Sequence, residues 1–164
     1  MNIPSLHNLQ KISNKFPTAK WLGFLPKAEG FIVSPHNYHR LCHILKDDYG
    51  FTYLSCLTAK DMILKKEFEL IVHLENIEKN EIIWLKVPVN RDAPTLPTIT
   101  DLWRGADFLE RETYDMFGII FEGHPNLTRI LSPEDETIHP LRKDFTKENN
   151  KEYGKKIMEK LLTH

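Results

Sequence analysis

Hydrophobic and polar residues alternate most regularly between positions 67 and 76. Phe68, Leu70, Val72 and Leu74 stand between Glu69, Ile71 and His73. This period of two predicts a strand with one buried face. Further strands are predicted in "FTYLSCLTA" (51–59) and "NEIIWLKVPV" (80–89). Only a short polar link, residues 76–80, separates the second from the third, which predicts an antiparallel hairpin. Upstream, "WLGFL" (21–25) and "GFIV" (30–33) read as strands around the turn-forming "PKAEG". Two helices frame them. Residues 5–16 place Leu6, Leu9, Ile12 and Phe16 on one face before Pro17. Ser34-Pro35 starts the second, a hydroxyl cap followed by a proline already at a helical φ. Tyr38, Leu41, Cys42 and Leu45 form its apolar face, and Gly50 lies just past its end.

Beyond the strands the pattern loosens. "RDAPTLPTIT" (91–100) is a proline-bearing link, and Thr100-Asp101 is expected to cap a helix running to Phe117, with Gly118 as its stop. From Ile119 to Phe145, Pro125, Pro133 and Pro140 break up many charges and scattered apolar residues. This stretch reads as a long extended tail, and residues 148–162 as a short Lys-rich helix. The fold class expected is α+β: a two-layer domain with a mixed, largely antiparallel sheet and flanking helices, followed by an extended C-terminal tail. Residues 1–118 would form the core and residues 119–164 a partner-binding tail.

Charge changes this picture little. The 164 residues hold 22 basic and 23 acidic side chains, so the net charge of −1 gives no reason to expect a nucleic acid partner. The longest uncharged apolar runs, such as "IIWL" (82–85), fall far short of a membrane span. The opening residues lack the pattern of a secretory signal. Cys42 and Cys56 have thirteen residues between them and fit no Cys-x-x-Cys motif. They read as buried free thiols in a reducing cytoplasm.

Candidate chemistry concentrates in "ERETYDMFGIIFEGHP" (110–125). Asp107, Arg111 and Asp115 share a helical face, and Glu112 neighbours Asp115. These carboxylates suit either acid–base work, with Glu110, Glu112 and Asp115 as the acting groups, or a ladder of ion pairs. No G-x-S-x-G occurs, and no histidine stands in sequence near a plausible serine or cysteine. His124 and His139 each precede a proline, Pro125 and Pro140, which favours extended backbone and a hydrogen-bonding or interface role. His36, His39 and His43 share a helix face that reads as solvated surface. No glycine-rich phosphate loop and no cysteine set for an iron–sulfur cluster is present, so no catalytic, cofactor-binding or metal residue is assigned. A helix that runs into a tail studded with arginines, Arg129 and Arg142 among them, suits docking.

"LERETYDMFGIIFEGHPNLTRIL" (109–131) resembles the signature of the C subunit of bacterial NADH:quinone oxidoreductase, respiratory complex I. The resemblance continues into "HPLRKDF" (139–145) and back through "TITDLW" (98–103), "FELIVHL" (68–74) and "FTYLSCLTAKD" (51–61), covering about residues 30–145. It implies a peripheral, cofactor-free subunit that packs on the D and B subunits of a hetero-oligomer. That complex passes electrons from NADH through FMN and iron–sulfur clusters, held by other subunits, to quinone, and couples this to proton pumping. The implied location is the cytoplasmic face of the bacterial inner membrane, touched only through the complex. The interface and signature residues carried over are Glu110, Arg111, Glu112, Tyr114, Asp115, Phe117, Gly118, Phe121, Gly123, His124, Pro125, Arg129, His139, Pro140, Arg142, Lys143 and Asp144. Thr128 replaces a usual arginine, Thr137-Ile138 a usual glycine before His139, and "RGADF" (104–108) a commoner arrangement. Related subunits also serve membrane-bound nickel–iron hydrogenases and ferredoxin-fed complexes, so the electron donor stays open.

Overall fold

The computed structural model describes residues 20–25 and 28–145, together with Lys155 and Glu159. The predicted helix over 5–16 lies outside these residues. So does the one over 148–162, apart from Lys155 and Glu159, both helical and exposed.

Five strands form the main sheet: β1 (Lys20–Leu25), β2 (Ala28–Ile32), β3 (Tyr53–Met62), β4 (Glu67–Asn76) and β5 (Glu81–Asn90). Their order is β1-β2-β5-β4-β3, and only the β2–β5 contact is parallel. The sheet is therefore mixed and largely antiparallel, as the pattern predicts. The period of two explains the register. Phe68, Leu70, Val72 and Leu74 of β4 face Val89, Val87, Leu85 and Ile83 of β5, and all eight are buried. A slip of one residue would turn this whole set to the other face.

Helix α1 (Pro35–Asp47) buries Tyr38, Leu41, Cys42 and Leu45 against that face. Full burial of each such side chain contributes roughly 1.5–3 kcal/mol. Ser34 is the N-cap in extended backbone, but its hydroxyl meets the Asn37 side-chain amide (3.2 Å) instead of a helical N–H. Cys42 is buried as expected, whereas Cys56 is only partly covered; both are free thiols.

The second helix departs from expectation at its start. Helix α2 runs Ala106–Phe117, with Gly105 as N-cap and no side-chain cap. Thr100 and Asp101 do not cap it because both are engaged elsewhere. Asp101 meets His39 Nε2 at 2.9 Å, and the Thr100 and Thr98 hydroxyls lie 2.9 Å apart. The far end agrees: Gly118 adopts φ 76° and donates its N–H to Tyr114 O (2.8 Å).

The supposed link and the start of the supposed tail pair with each other. Strands β6 (Thr95–Pro97) and β7 (Ile120–Glu122) form a parallel two-stranded sheet. Leu96, Ile119 and Phe121 are buried in the main core, so packing continues past Gly118. Residues 119–121 belong with the core, contrary to a tail that begins there.

Candidate functional site

Helix termini leave four carbonyls without intrahelical donors. At the end of α2 these belong to Tyr114, Asp115, Met116 and Phe117, and each receives at least one. Gly118 N–H serves Tyr114 O. His139 Nδ1 donates to Asp115 O (2.9 Å), Leu141 N–H to Met116 O (3.1 Å) and Arg142 Nε to Phe117 O (2.6 Å). Residues 139–142 thus form a cap built from the far side of the tail. Arg129, His139 and Arg142 also bring donors to the negative end of the helix dipole. Gly118 is required twice over. Its φ suits glycine, and a Cβ there would come within 2.5 Å of His139 Nε2 and 2.6 Å of Arg142 Nη2.

That cap is part of a strap, residues 128–144, which the side chain of Asp115 also anchors. Asp115 has 0% exposure. Oδ1 accepts from Arg129 Nη1 (2.6 Å), and Oδ2 accepts from the N–H groups of Ile130 (3.1 Å), Leu131 (2.8 Å) and Ser132 (2.8 Å). Burial alone would raise its pKa, but these bonds outweigh burial and hold it at about 2. Arg129 Nη1 also reaches Ile138 O (3.0 Å), one of the residues departing from the family pattern.

A second carboxylate fastens the strap's end. Asp61 accepts from Arg91 Nε (3.0 Å) and Nη2 (3.1 Å) and from the N–H of Lys143 (2.8 Å). Burial opposes its charge, but Arg91 and Lys143 hold it ionised, with its pKa lowered. Arg91 Nη2 pairs with Asp144 at 2.8 Å, and Arg91 and Arg142 lie 5.5 Å and 5.2 Å from the Phe68 ring.

Several expectations are corrected by this geometry. Arg129 and Arg142 bind the chain's own α2 rather than standing free for a partner's carboxylates, whereas Lys143 gives only its backbone N–H to Asp61 of β3 and is exposed. The Asp107–Arg111–Asp115 ladder does not form. Arg111 instead donates to Thr128 O (3.2 Å), Thr128 Oγ1 (3.0 Å) and Arg129 O (3.3 Å), because the strap passes within its reach. Thr128 thereby gains an acceptor role that the usual arginine could not fill. Glu110, Glu112 and Asp115 do not converge: the first and last are buried in separate networks, while Glu112 is exposed. Phe121 is in the chain's own core and Leu127 packs against it, whereas Ile130 and Leu131 remain exposed.

Glu110 occupies the other half of α2. Its Oε1 accepts Ile99 N–H (2.8 Å) and its Oε2 meets the Thr98 hydroxyl (2.5 Å). Burial raises its pKa to about 7 despite those two bonds. The His124 side chain, also without exposure, places Nε2 4.0 Å from Glu110 Oε2 and 3.5 Å from Asp107 Oδ1. Gly123 before it adopts φ 82°. Tyr114 meets His139 edge-on, with ring centroids 6.5 Å apart. Pro125 is exposed and Pro140 half-buried in the turns beside their histidines.

One contact is invisible in the linear order. Ser55 Oγ lies 2.7 Å from His73 Nδ1, across the β3–β4 ladder. Glu75 is 3.9 Å from that same nitrogen, while Nε2 is buried without a partner. A serine nucleophile needs its acid on the imidazole nitrogen opposite the serine, so this trio lacks that arrangement. His73 instead stacks on Trp84 at 4.1 Å, and burial lowers its pKa. Among the described residues, no group of three or more metal-ligating side chains gathers.

Comparison with known proteins bears on the same segments. Residues 31–151 match the family model described as "Respiratory-chain NADH dehydrogenase, 30 Kd subunit". The C subunit of NADH-quinone oxidoreductase from Roseiflexus sp. (strain RS-1) is 45% identical over 115 residues, 68% of this chain and 66% of that one. The protein of the same name from Herpetosiphon aurantiacus is 41% identical over 138 residues, 82% of this chain and 80% of its own length. Among solved structures, a chain of the membrane-bound sulfane sulfur reductase, an archaeal respiratory membrane complex, superposes with a TM-score of 0.77 at 28% identity over 89% of both chains. A trypsin-resistant fragment of Nqo5 gives 0.64 at 27% identity, covering 73% of this chain and 98% of the fragment.

Proposed function

We propose a role from one premise: the chain belongs to the family of the respiratory-chain NADH dehydrogenase 30 kDa subunit. It is a subunit of an NADH-quinone oxidoreductase, working within a hetero-oligomeric respiratory complex. The finer reading is that of an assembly subunit of the peripheral arm that docks on the D and B subunits. In this reading it carries no cofactor. FMN and iron–sulfur clusters in other subunits pass electrons from NADH to quinone, coupled to proton transport, at the cytoplasmic face of the inner membrane. No helix among the described residues is long and apolar enough to cross a membrane.

The observation that carries a structural role is the saturation of Asp115. A carboxylate with four donors and a pKa of about 2 is held as an anchor, not poised near neutral pH for proton transfer. The signature residues are largely spent on fixing the strap. What the strap then presents is apolar: Ile130, Leu131 and Leu141 are exposed, as are Phe108 on α2 and Ile120 on β7. Rigidly held exposed apolar residues suit a permanent protein interface. The sulfane sulfur reductase neighbour supports a second reading, an equivalent subunit of a complex with another electron donor. Identities of 41–45% to the C subunits of NADH-quinone oxidoreductases favour the first.

The test is capture of the co-expressed D and B subunits by the tagged chain. Phe108→Asp and Leu131→Asp, both on exposed positions, are expected to weaken capture by tenfold or more while leaving the free protein's melting temperature unchanged. Full capture by both variants would place the docking surface elsewhere.

A further inference from the structure

Three carboxylates are almost wholly buried among the described residues: Asp61 at 3% exposure, and Glu110 and Asp115 at 0%. Asp61 and Asp115 each have an arginine. Glu110 has none; its one potential cation is His124. An ionised carboxylate buried without a counter-charge is strongly disfavoured, and such a group keeps its proton instead.

The histidine does not supply that charge in the observed geometry. Its Nδ1 accepts the N–H of Asn126 (3.0 Å), which assigns the ring proton to Nε2 and makes the imidazole neutral. Nε2–H then points towards Asp107 O (3.3 Å). A second proton could enter only at Nδ1, where the Asn126 N–H already lies. The other ionisable neighbours offer no cation either. Tyr38 and Cys42 of α1 are buried acids whose pKa values burial raises well above the ordinary, so both are neutral. Asp101 is engaged with His39, and Asp107 adds negative charge.

The hydroxyls beside Glu110, by contrast, accommodate either protonation state. When Glu110 is charged, Thr98 O–H donates to Oε2. When it is neutral, Oε2–H donates to Thr98 Oγ1, whose hydrogen swings to Thr100 Oγ1, 2.9 Å away. Both threonines are half-buried, so this pair leads from the carboxyl towards solvent.

We propose that Glu110, His124 and the Thr98–Thr100 hydroxyls form a proton-operated latch between α2 and the β6–β7 sheet, shut while Glu110 carries its proton and loosened when the proton leaves. Loss of the proton sets two carboxylates, Glu110 and Asp107, against a neutral imidazole. The turn at Asn126 is where relief comes, because His124 can take a charge only by releasing the Asn126 N–H. The burial that brings Glu110 to about 7 sets the working range near neutrality.

Amide hydrogen exchange of the full chain across the acidic and neutral range tests the latch, with rates corrected for their intrinsic pH dependence. Protection of residues 98–100 and 120–126 is expected to fall by up to tenfold per pH unit between the ordinary glutamate value of 4.5 and the Glu110 midpoint of about 7, and to level off above it. In Glu110→Gln, an uncharged carboxamide of the same shape, protection should stay flat. Thr98→Val removes a donor to the charged form and should move the midpoint to higher pH. Flat protection in the unaltered chain would overturn the latch. So would the same pH dependence in Glu110→Gln, or an unmoved midpoint in Thr98→Val, the decisive arm if Glu110→Gln fails to fold.

Discussion

Glu110 and Asp115 stand on one helix, and neither is exposed to solvent, yet their chemistry points in opposite directions. At the C-terminal end the chain surrounds Asp115 with an arginine and three backbone N–H groups. At the other end it gives Glu110 one hydroxyl, one N–H and a neutral imidazole. The first carboxyl is driven to about 2 and the second to about 7. Burial is common to both and opposes charge in both; the number of donors decides the outcome. The strap end of α2 is thus electrostatically fixed, and the end facing β6 and β7 is sensitive to neutral pH.

Asp115→Asn breaks the comparison most severely. It leaves Arg129 buried without its carboxylate and turns an NH₂ or a weaker acceptor towards three N–H donors. Breaking a buried pair from one side costs about 3–5 kcal/mol, seen as a large drop in melting temperature. Protection of residues 129–132 should fall with it.

A smaller effect sharpens the contrast through pH. The pKa of Asp115 is lowered from 3.8 to about 2, so its contribution is present above 3.8 and disappears as pH falls through about 2; it is worth about 2 kcal/mol. The pKa of Glu110 is raised from 4.5 to about 7, so its contribution is full below 4.5 and is lost as pH rises through about 7, by about 3 kcal/mol. Denaturation at a series of pH values should show both limbs. Removing Asp115 should shrink the acid limb, leaving the share of Asp61, and leave the neutral limb unchanged.

The smallest change is Arg111→Ala. Its three hydrogen bonds end on a half-buried strap segment that Asp115 holds independently, so the loss should be about 1 kcal/mol. A loss as large as that of Asp115→Asn would mean that the strap hangs on Arg111 instead.

Residue pattern makes the sheet legible where the physics is local. The alternation of Phe68 to Leu74 and the polar link after it are enough to place β4, β5 and their hairpin. Gly118 is legible as a helix stop because a left-handed φ selects glycine. The start of α2 is misleading because Thr100 and Asp101 are good caps in isolation, and nothing nearby in sequence reveals that Thr98 and His39 claim them. Strands β6 and β7 are hidden because three residues carry no usable period, and their pairing spans the whole of α2. The arginines of the strap stand out as anchors, but sequence does not say whose carboxylates they meet. That depends on the fold of residues far upstream, Asp61 and Asp115 among them.

The bond from Lys143 N–H to Asp61 joins positions 82 residues apart. During synthesis Asp61 emerges long before that donor exists, and Asp115 emerges before Arg129, Leu131 and Ser132. The sheet can assemble from the first part of the nascent chain, since its hairpins are short-range. Asp61 meets Arg91 as soon as the sheet forms, but its Lys143 donor, and all four donors to Asp115, arrive only with the later segment. Contacts of such separation form late, after the closure entropy of the intervening chain has been overcome. The strap therefore closes the fold last: a polypeptide cut short before residue 129 would leave Asp115 without its arginine and its three N–H donors, and one cut before residue 143 would leave Asp61 without its backbone donor.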